Sequence, residues 1–256
     1  MQIYKLGKNE KKTKLKTLQI HDFMNLSVMP APPAAFDWSM VKGKPLFYGM
    51  DGNDVWGDCV LASACHQIGT WTGNTGIEQV ATEKDALDAY ERFADFDPTK
   101  PETDQGANML DTATRWRVEP IFNRKIAAFA SVDLKRLDLV ASAMFAFGGL
   151  WIGWRLPKAW QGADVWSTSP TGSMEGDWKP NSWGGHATHG PALSPSLMGV
   201  ETWQKHMPVT IPAFEAYAEE GYVLISTDTW ETLAGNRCPA GLDGEALQAA
   251  LAKVIV

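Results

Sequence analysis

The stretch NDVWGDCVLASACHQIG, residues 53–69, sets a cysteine at the first turn of a helix. Gly52, Asn53 and Asp54 read as a turn. From there the pattern changes. Val60, Leu61, Ala64 and Ile68 fall on one helical face, Asp58 stands where an N-cap belongs, and Gly69 lies near the end, so a helix is predicted over 58–70. Cys59 would then meet the free N–H groups and the positive end of the helix dipole, which favour a thiolate. The thiolate is the form in which cysteine attacks a carbonyl. An isolated cysteine at a helix start is more commonly a small buried side chain, so the reading needs a second residue.

The rest of the chain limits what that residue can be. The 256 residues are 45% apolar and 21% charged, an ordinary globular composition. A net charge of −7 argues against nucleic acid as the main partner. No apolar run reaches the roughly 18 residues of a membrane helix, and the hydrophilic start has no secretory signal, so a cytoplasmic protein is expected. Cys59, Cys65 and Cys238 make an odd, low count, which is no disulfide framework, although a Cys65–Cys238 pair stays open. CxxC is absent and the histidines are scattered, so neither a metal nor another cofactor is expected.

Residues 1–32 read as a basic arm and linker. Lys5, Lys8, Lys11, Lys12, Lys14 and Lys16 crowd the arm, 15–24 has a weak helical pattern, and Pro30-Ala-Pro-Pro33 is extended and helix-breaking. Such an arm is either a solvated tail or a segment held by its own body or by a neighbouring chain. The body, 33–256, divides into a mainly helical half to about 146 and a strand-rich half from about 147. Helices are expected over 83–95 with Thr82 as cap, 107–117, 133–146, 212–220 and 244–254. Strands are expected over 150–156, 186–193, 199–203 and 221–226. This order is α+β. The intervening 157–183, with Trp160, Trp166, Trp178 and Trp183, is long for a plain connection. Its tryptophans either anchor the loop to the body or border a cleft and grip a ligand.

His186 supplies the second residue. It opens a strand-like run 186 − 59 = 127 positions after Cys59. The separation in thiol peptidases of the papain type is about 130–150, with the two residues adjacent in space. Six segments in order resemble that family: Pro33–Ser39 the start of the mature domain, Asn53–Ala64 the nucleophile segment, Gln105-Gly106 with Leu110, Ala113 and Val118 the glycine-led helix, Phe147–Gly153 the strand before the histidine, Gly185-His186-Ala187 the histidine motif, and Glu201–Gln204 the asparagine-tryptophan motif. They are similar in particular to a divergent bacterial and phage group. The resemblance covers about 33–226. It implies a papain-like two-lobe fold, helical first and antiparallel β second, with the active-site cleft between.

The resemblance also implies roles. Cys59 attacks the carbonyl carbon of a peptide or isopeptide bond, and His186 pairs with it and protonates the leaving amine. The Cys59 N–H and the side chain of Asn53 form the oxyanion hole. Glu201 orients the imidazole, with Thr202 as the fallback, and Trp203 shields the pair from water. Trp203, Trp183, Trp56 and Gly185 are the candidates for lining the substrate groove. The chain departs from the family in having Asn53 for Gln and Glu201 for Asn. Only about 30 residues precede the body, short for an inhibitory propeptide domain. These departures set a second reading beside the peptidase: a catalytically weak papain-fold protein serving as a binding or structural part of a larger assembly, such as a phage particle.

Overall fold

Helix α1 (Cys59–Asn74) is buried from Cys59 to Gly73 and lies between the two lobes. In the computed structural model, which describes residues 4–12, 17–23 and 31–226, it packs mainly on one strand of a large sheet. It does not stop near Gly69. Burial on all sides outweighs the poor helix propensity of glycine, and Gly73 is needed for close approach, since a Cβ there would meet Leu46 at 2.4 Å. Three short strands precede it: β1 (Phe36–Asp37), β2 (Met40–Val41) and β3 (Lys44–Pro45). After it come α2 (Glu83–Ala94), started by a Thr82–Asp85 capping box, and α3 (Met109–Trp116), whose first N–H groups are capped by Asn108.

The second lobe is built from β4 (Ile126–Ser131), α4 (Leu137–Phe147), β5 (Leu150–Leu156), β6 (Gly184–Leu193), β7 (Leu197–Thr202), β8 (Lys205–Thr210), α5 (Ile211–Tyr217) and β9 (Ala218–Ser226). The antiparallel sheet runs β4-β9-β5-β6-β7-β8, with β1 on the end of β6. It therefore recruits β4 from the half expected to be helical, so the sheet does not begin at 147. The small residues of β4 carry no clean alternation, and β8 is an edge strand holding Pro208, which hid both. Helix α4 starts four residues later than expected because Asp133–Arg136 forms a turn. Helix α5 ends at Tyr217 because Ala218–Glu220 joins β9. Of the weak helical pattern at 15–24, the described residues 17–23 form a 3-10 turn, Ile20–Asp22, with Leu18 and Gln19 bonded to Ser131. The expected helix 244–254 and Cys238 lie outside the described residues.

The tryptophans of 157–183 divide. Trp160 and Trp166 are buried and stacked, centroids 4.8 Å apart, against Trp154 of β5. Trp166 exchanges backbone bonds with Pro208 and Thr210, so this part of the loop anchors the edge strand β8. Trp178 and Trp183 are only half-buried. Trp160→Ala should destabilise the fold by about 3–5 kcal/mol in chemical denaturation, whereas Trp178→Ala should cost less than half as much.

Candidate active site

Cys59 begins α1 and is 1% exposed. The N–H groups of Ala187 and Gly7 donate to its sulfur. Ala187 follows His186, so the helix start and β6 bring the two expected residues to one place. Strand register explains this: Trp154 of β5 pairs with His186, and Gly153 pairs with Ala187. The His186 Nε2 lies 2.7 Å from Thr202 Oγ1, while Nδ1 is buried and makes no hydrogen bond. Nδ1 is thus the ring nitrogen left for a thiol. Trp203 stacks on the imidazole, centroids 4.3 Å apart. It sits with Gln204 in the two-residue β7–β8 turn, both at positive φ (47° and 59°). Neither residue type favours that conformation. The Trp203 ring is packed further by Trp183, tilted at 5.5 Å, and by Trp166, edge-on at 6.1 Å, and these contacts hold the turn.

Two expected roles are not met by these positions. Glu201 does not reach His186; its Oε1 lies 2.7 Å from His206 Nδ1 across β7–β8. The fallback, Thr202, makes the contact instead. Asn53 is buried, but its amide nitrogen donates to Asp58 Oδ1 at 3.0 Å and to Trp56 O at 3.4 Å, which turns its donors away from an oxyanion. Asp58 stands at the N-cap without capping the helix. Burial, opposed by the Asn53 bond, raises its pKa well above the usual range. His66 pairs with Asp51 at 3.2 Å, and His189 bonds Thr70 at 2.7 Å; both hold α1 in place. Trp56 packs on Phe96. Among the described residues no three candidate metal ligands cluster, and no helix is long and apolar enough to cross a membrane.

The basic arm occupies the cleft. Residues 4–12 run between the lobes as an extended segment. Ala107 N donates to Gly7 O at 2.8 Å and Asn9 N to Ala107 O at 2.9 Å, while Lys8 N donates to Gly185 O at 3.2 Å. Backbone lies on backbone. A Cβ on Gly7 would meet Gly57 O at 1.8 Å, one on Gly106 would meet Gly7 O at 2.0 Å, and one on Gly185 would meet Lys8 O at 2.2 Å. Tyr4 stacks on Trp203, centroids 4.5 Å apart. Lys5 pairs with Asp104, a buried carboxylate that also accepts from Tyr90 OH and Gly57 N. The arm is held by its own body and is not a solvated tail. Sequence reasoning missed Tyr4, Gly7 and Lys8 as cleft residues. The scatter of glycines at 7, 57, 106 and 185 was the available signal.

With the arm in place the pair is uncharged. Burial pushes the Cys59 thiol up to about 12, against the hydrogen bonds from Ala187 and Gly7. Burial, aided by His66, pushes His186 down to about 3. Both shifts disfavour the thiolate–imidazolium form. Were the arm displaced, contact with water would remove the burial that dominates both shifts, at the loss of the Gly7 hydrogen bond and the Lys8 charge that pull the thiol down.

A helix-borne cysteine, a strand-borne histidine and a cleft between a helical and an antiparallel lobe define a papain-like cysteine-peptidase fold. Xylellain, a cysteine protease from Xylella fastidiosa, superposes with a TM-score of 0.65 at 12% identity, over 87% of this chain and 96% of that one. The cysteine protease and lectin-like domains of Cwp84, a surface-layer-associated protein of Clostridium difficile, match at 0.57 and 6% identity, over 86% and 55%. The Carica candamarcensis cysteine protease CMS1MS2 matches at 0.51 and 13%, over 75% and 98%. No protein-family model and no curated protein matches the chain. At these identities the likeness is one of fold.

The arm predicts a distinct reactivity. Iodoacetamide alkylation of Cys59, followed by peptide mass spectrometry, should rise about tenfold per pH unit from about pH 6 to 9 without a plateau in the intact chain, as for a thiol far below its pKa. Gly7→Leu, whose side chain collides with Gly57, should expel the arm. Its rate at about pH 7 should be at least tenfold higher, with a plateau starting below about pH 8.

Proposed function

We propose that this protein is a cysteine peptidase, hydrolysing peptide or isopeptide bonds, held in a resting state by its own arm. The observation that supports this most directly is the meeting of Cys59, at a helix start, with the residue next to His186, whose Nδ1 is left unbonded. Once the arm is displaced, Cys59 Sγ attacks the carbonyl carbon and the helix-start N–H groups stabilise the oxyanion. His186 carries the thiol proton to the leaving amine, water then attacks the thioester, and the carboxylate leaves with the thiol restored. Thr202 acts as a positioning residue, accepting from the imidazolium through Oγ1. Trp203 excludes water from the ring. Trp183 and Gly185 border the groove; Gly185 offers the carbonyl that the arm already uses.

The groove itself favours an extended peptide as substrate. Ala107 on one side and Gly185 on the other present backbone groups that a peptide main chain satisfies without regard to its side chains. The weak-catalysis reading rests on the Asn53 amide being taken by Asp58 and on a hydroxyl, rather than an amide, on His186.

Two measurements separate the readings. In the full-length Gly7→Leu protein, a peptidyl thiol-directed probe should label Cys59 at neutral pH, and His186→Ala should lose at least a hundredfold of that labelling. Equal labelling with and without His186 would leave only the binding reading. Thr202→Val should lower the labelling rate about tenfold, the worth of one hydrogen bond, whereas Glu201→Gln should change it less than twofold.

A further inference from the structure

We infer that the cleft contains an acidic pocket that selects substrates carrying lysine or arginine next to the residue seated on the Cys59 thiol. This deepens the peptidase reading and rests on it. Lys8 marks the pocket. Its neighbour Gly7 lies on the thiol, and the Lys8 side chain, 1% exposed, turns inward between the lobes. Its Nζ is 2.8 Å from Glu219 Oε2 and 2.9 Å from Glu220 Oε1, and it also donates to Asn9 O at 3.1 Å.

The walls suit a long cationic side chain. Glu220 pairs with Gly153 across β9–β5, and Gly153 pairs with Ala187 across β5–β6. One row of the sheet thus leads from the thiol's neighbour to the carboxylate over two strand spacings, about 10 Å, within reach of a lysine stem. The row is open because Gly153 has no side chain. A Cβ there would stand 2.4 Å from Lys8 Cε, 2.7 Å from Glu220 Cγ and 2.8 Å from Met109 Sδ. The glycine makes the channel, Met109 gives it an apolar side, and the carboxylates close its end. Glu220 is 1% exposed on its side chain and is fixed by the Tyr222 hydroxyl, 2.7 Å from Oε2. Glu219 is a quarter exposed at the rim. A buried carboxylate beside a second one is costly without a cation. Burial works against the charge on Lys8, but Glu220 and Glu219 outweigh it and raise its pKa. Uncharged or acidic side chains leave the pair unmet.

Two experiments on the full chain test this. The first reads the pocket through the arm. Lys8→Arg should keep Cys59 as slow to alkylate as in the parent, whereas Lys8→Met, similar in length but uncharged, should speed alkylation at least tenfold. Equal protection by Met would overturn the proposal. The second reads it through substrate-like ligands. In Gly7→Leu, and in Lys8→Ala should the first variant fail to fold, probes bearing Lys-Gly, Leu-Gly and Glu-Gly before the same thiol-reactive ketone are compared. Lys-Gly should label Cys59 at least tenfold faster than Leu-Gly, and Glu-Gly slowest. Glu219→Gln combined with Glu220→Gln should bring Lys-Gly and Leu-Gly to within twofold. Equal Lys-Gly and Leu-Gly rates in the parent variant would refute the selectivity while leaving the peptidase reading intact. If iodoacetamide alkylates Cys59 but none of the three probes does, the peptidase reading fails and the selectivity falls with it.

Discussion

The packing of the buried start of α1 against β6 is the constraint on which the rest depends. It fixes Cys59 beside Ala187, and so beside His186, although 127 residues separate the pair. The contact is secured from both ends. His66 and Asp51 tie the helix to the turn before it, Thr70 and His189 tie it to β6, and Trp151 of β5 donates to Ser63 in its middle. Each of these polar side chains is buried and would cost free energy if left unpaired. The helix therefore has little freedom to slide, and the cysteine is placed by the sheet as much as by its own helix.

A second constraint is the absence of side chains along the cleft. Gly7, Gly106 and Gly185 let one backbone lie on another closer than any Cβ allows, and Gly153 opens the channel behind them. The arm exploits this surface with Gly7 at the tightest point. What holds it is distributed: a stacked tyrosine, three ion-paired lysines (Lys5, Lys8 and Lys12) and main-chain bonds to both lobes. Burial in the covered cleft raises the thiol and lowers the imidazole, although Gly7 and Lys8 of the arm themselves pull the thiol down.

The tryptophan-rich loop shows how one composition serves two ends. Trp160 and Trp166 fill the space beyond Trp154 and fasten the edge strand, while Trp183 and the turn residue Trp203 extend the aromatic wall to His186. The strained Trp203–Gln204 turn belongs to the second group. Its backbone conformation is unfavourable for these residues, and it projects a ring over the imidazole that an ordinary turn pair such as Asn-Gly would not supply.

Much of the α+β order was legible in the sequence. The periodicity of 58–70, the Thr82 cap and the apolar run 150–156 are local signals, and they produced α1, α2 and β5. So was the pairing of Cys59 with His186, because type and spacing carry it. Strand β4 and edge strand β8 were not, since small residues and a proline give no alternation to read. The choice between Glu201 and Thr202 as the partner of His186 could not be made from adjacent positions. Successive strand residues face opposite ways, and register alone decides which meets the imidazole. The sequence by itself determined the class of fold and singled out Cys59 and His186 as the candidate nucleophile and histidine. Only the tertiary structure decided that the basic arm lies in the cleft and that Lys8 ends between Glu219 and Glu220, because a contact across 211 residues leaves no local pattern in the chain.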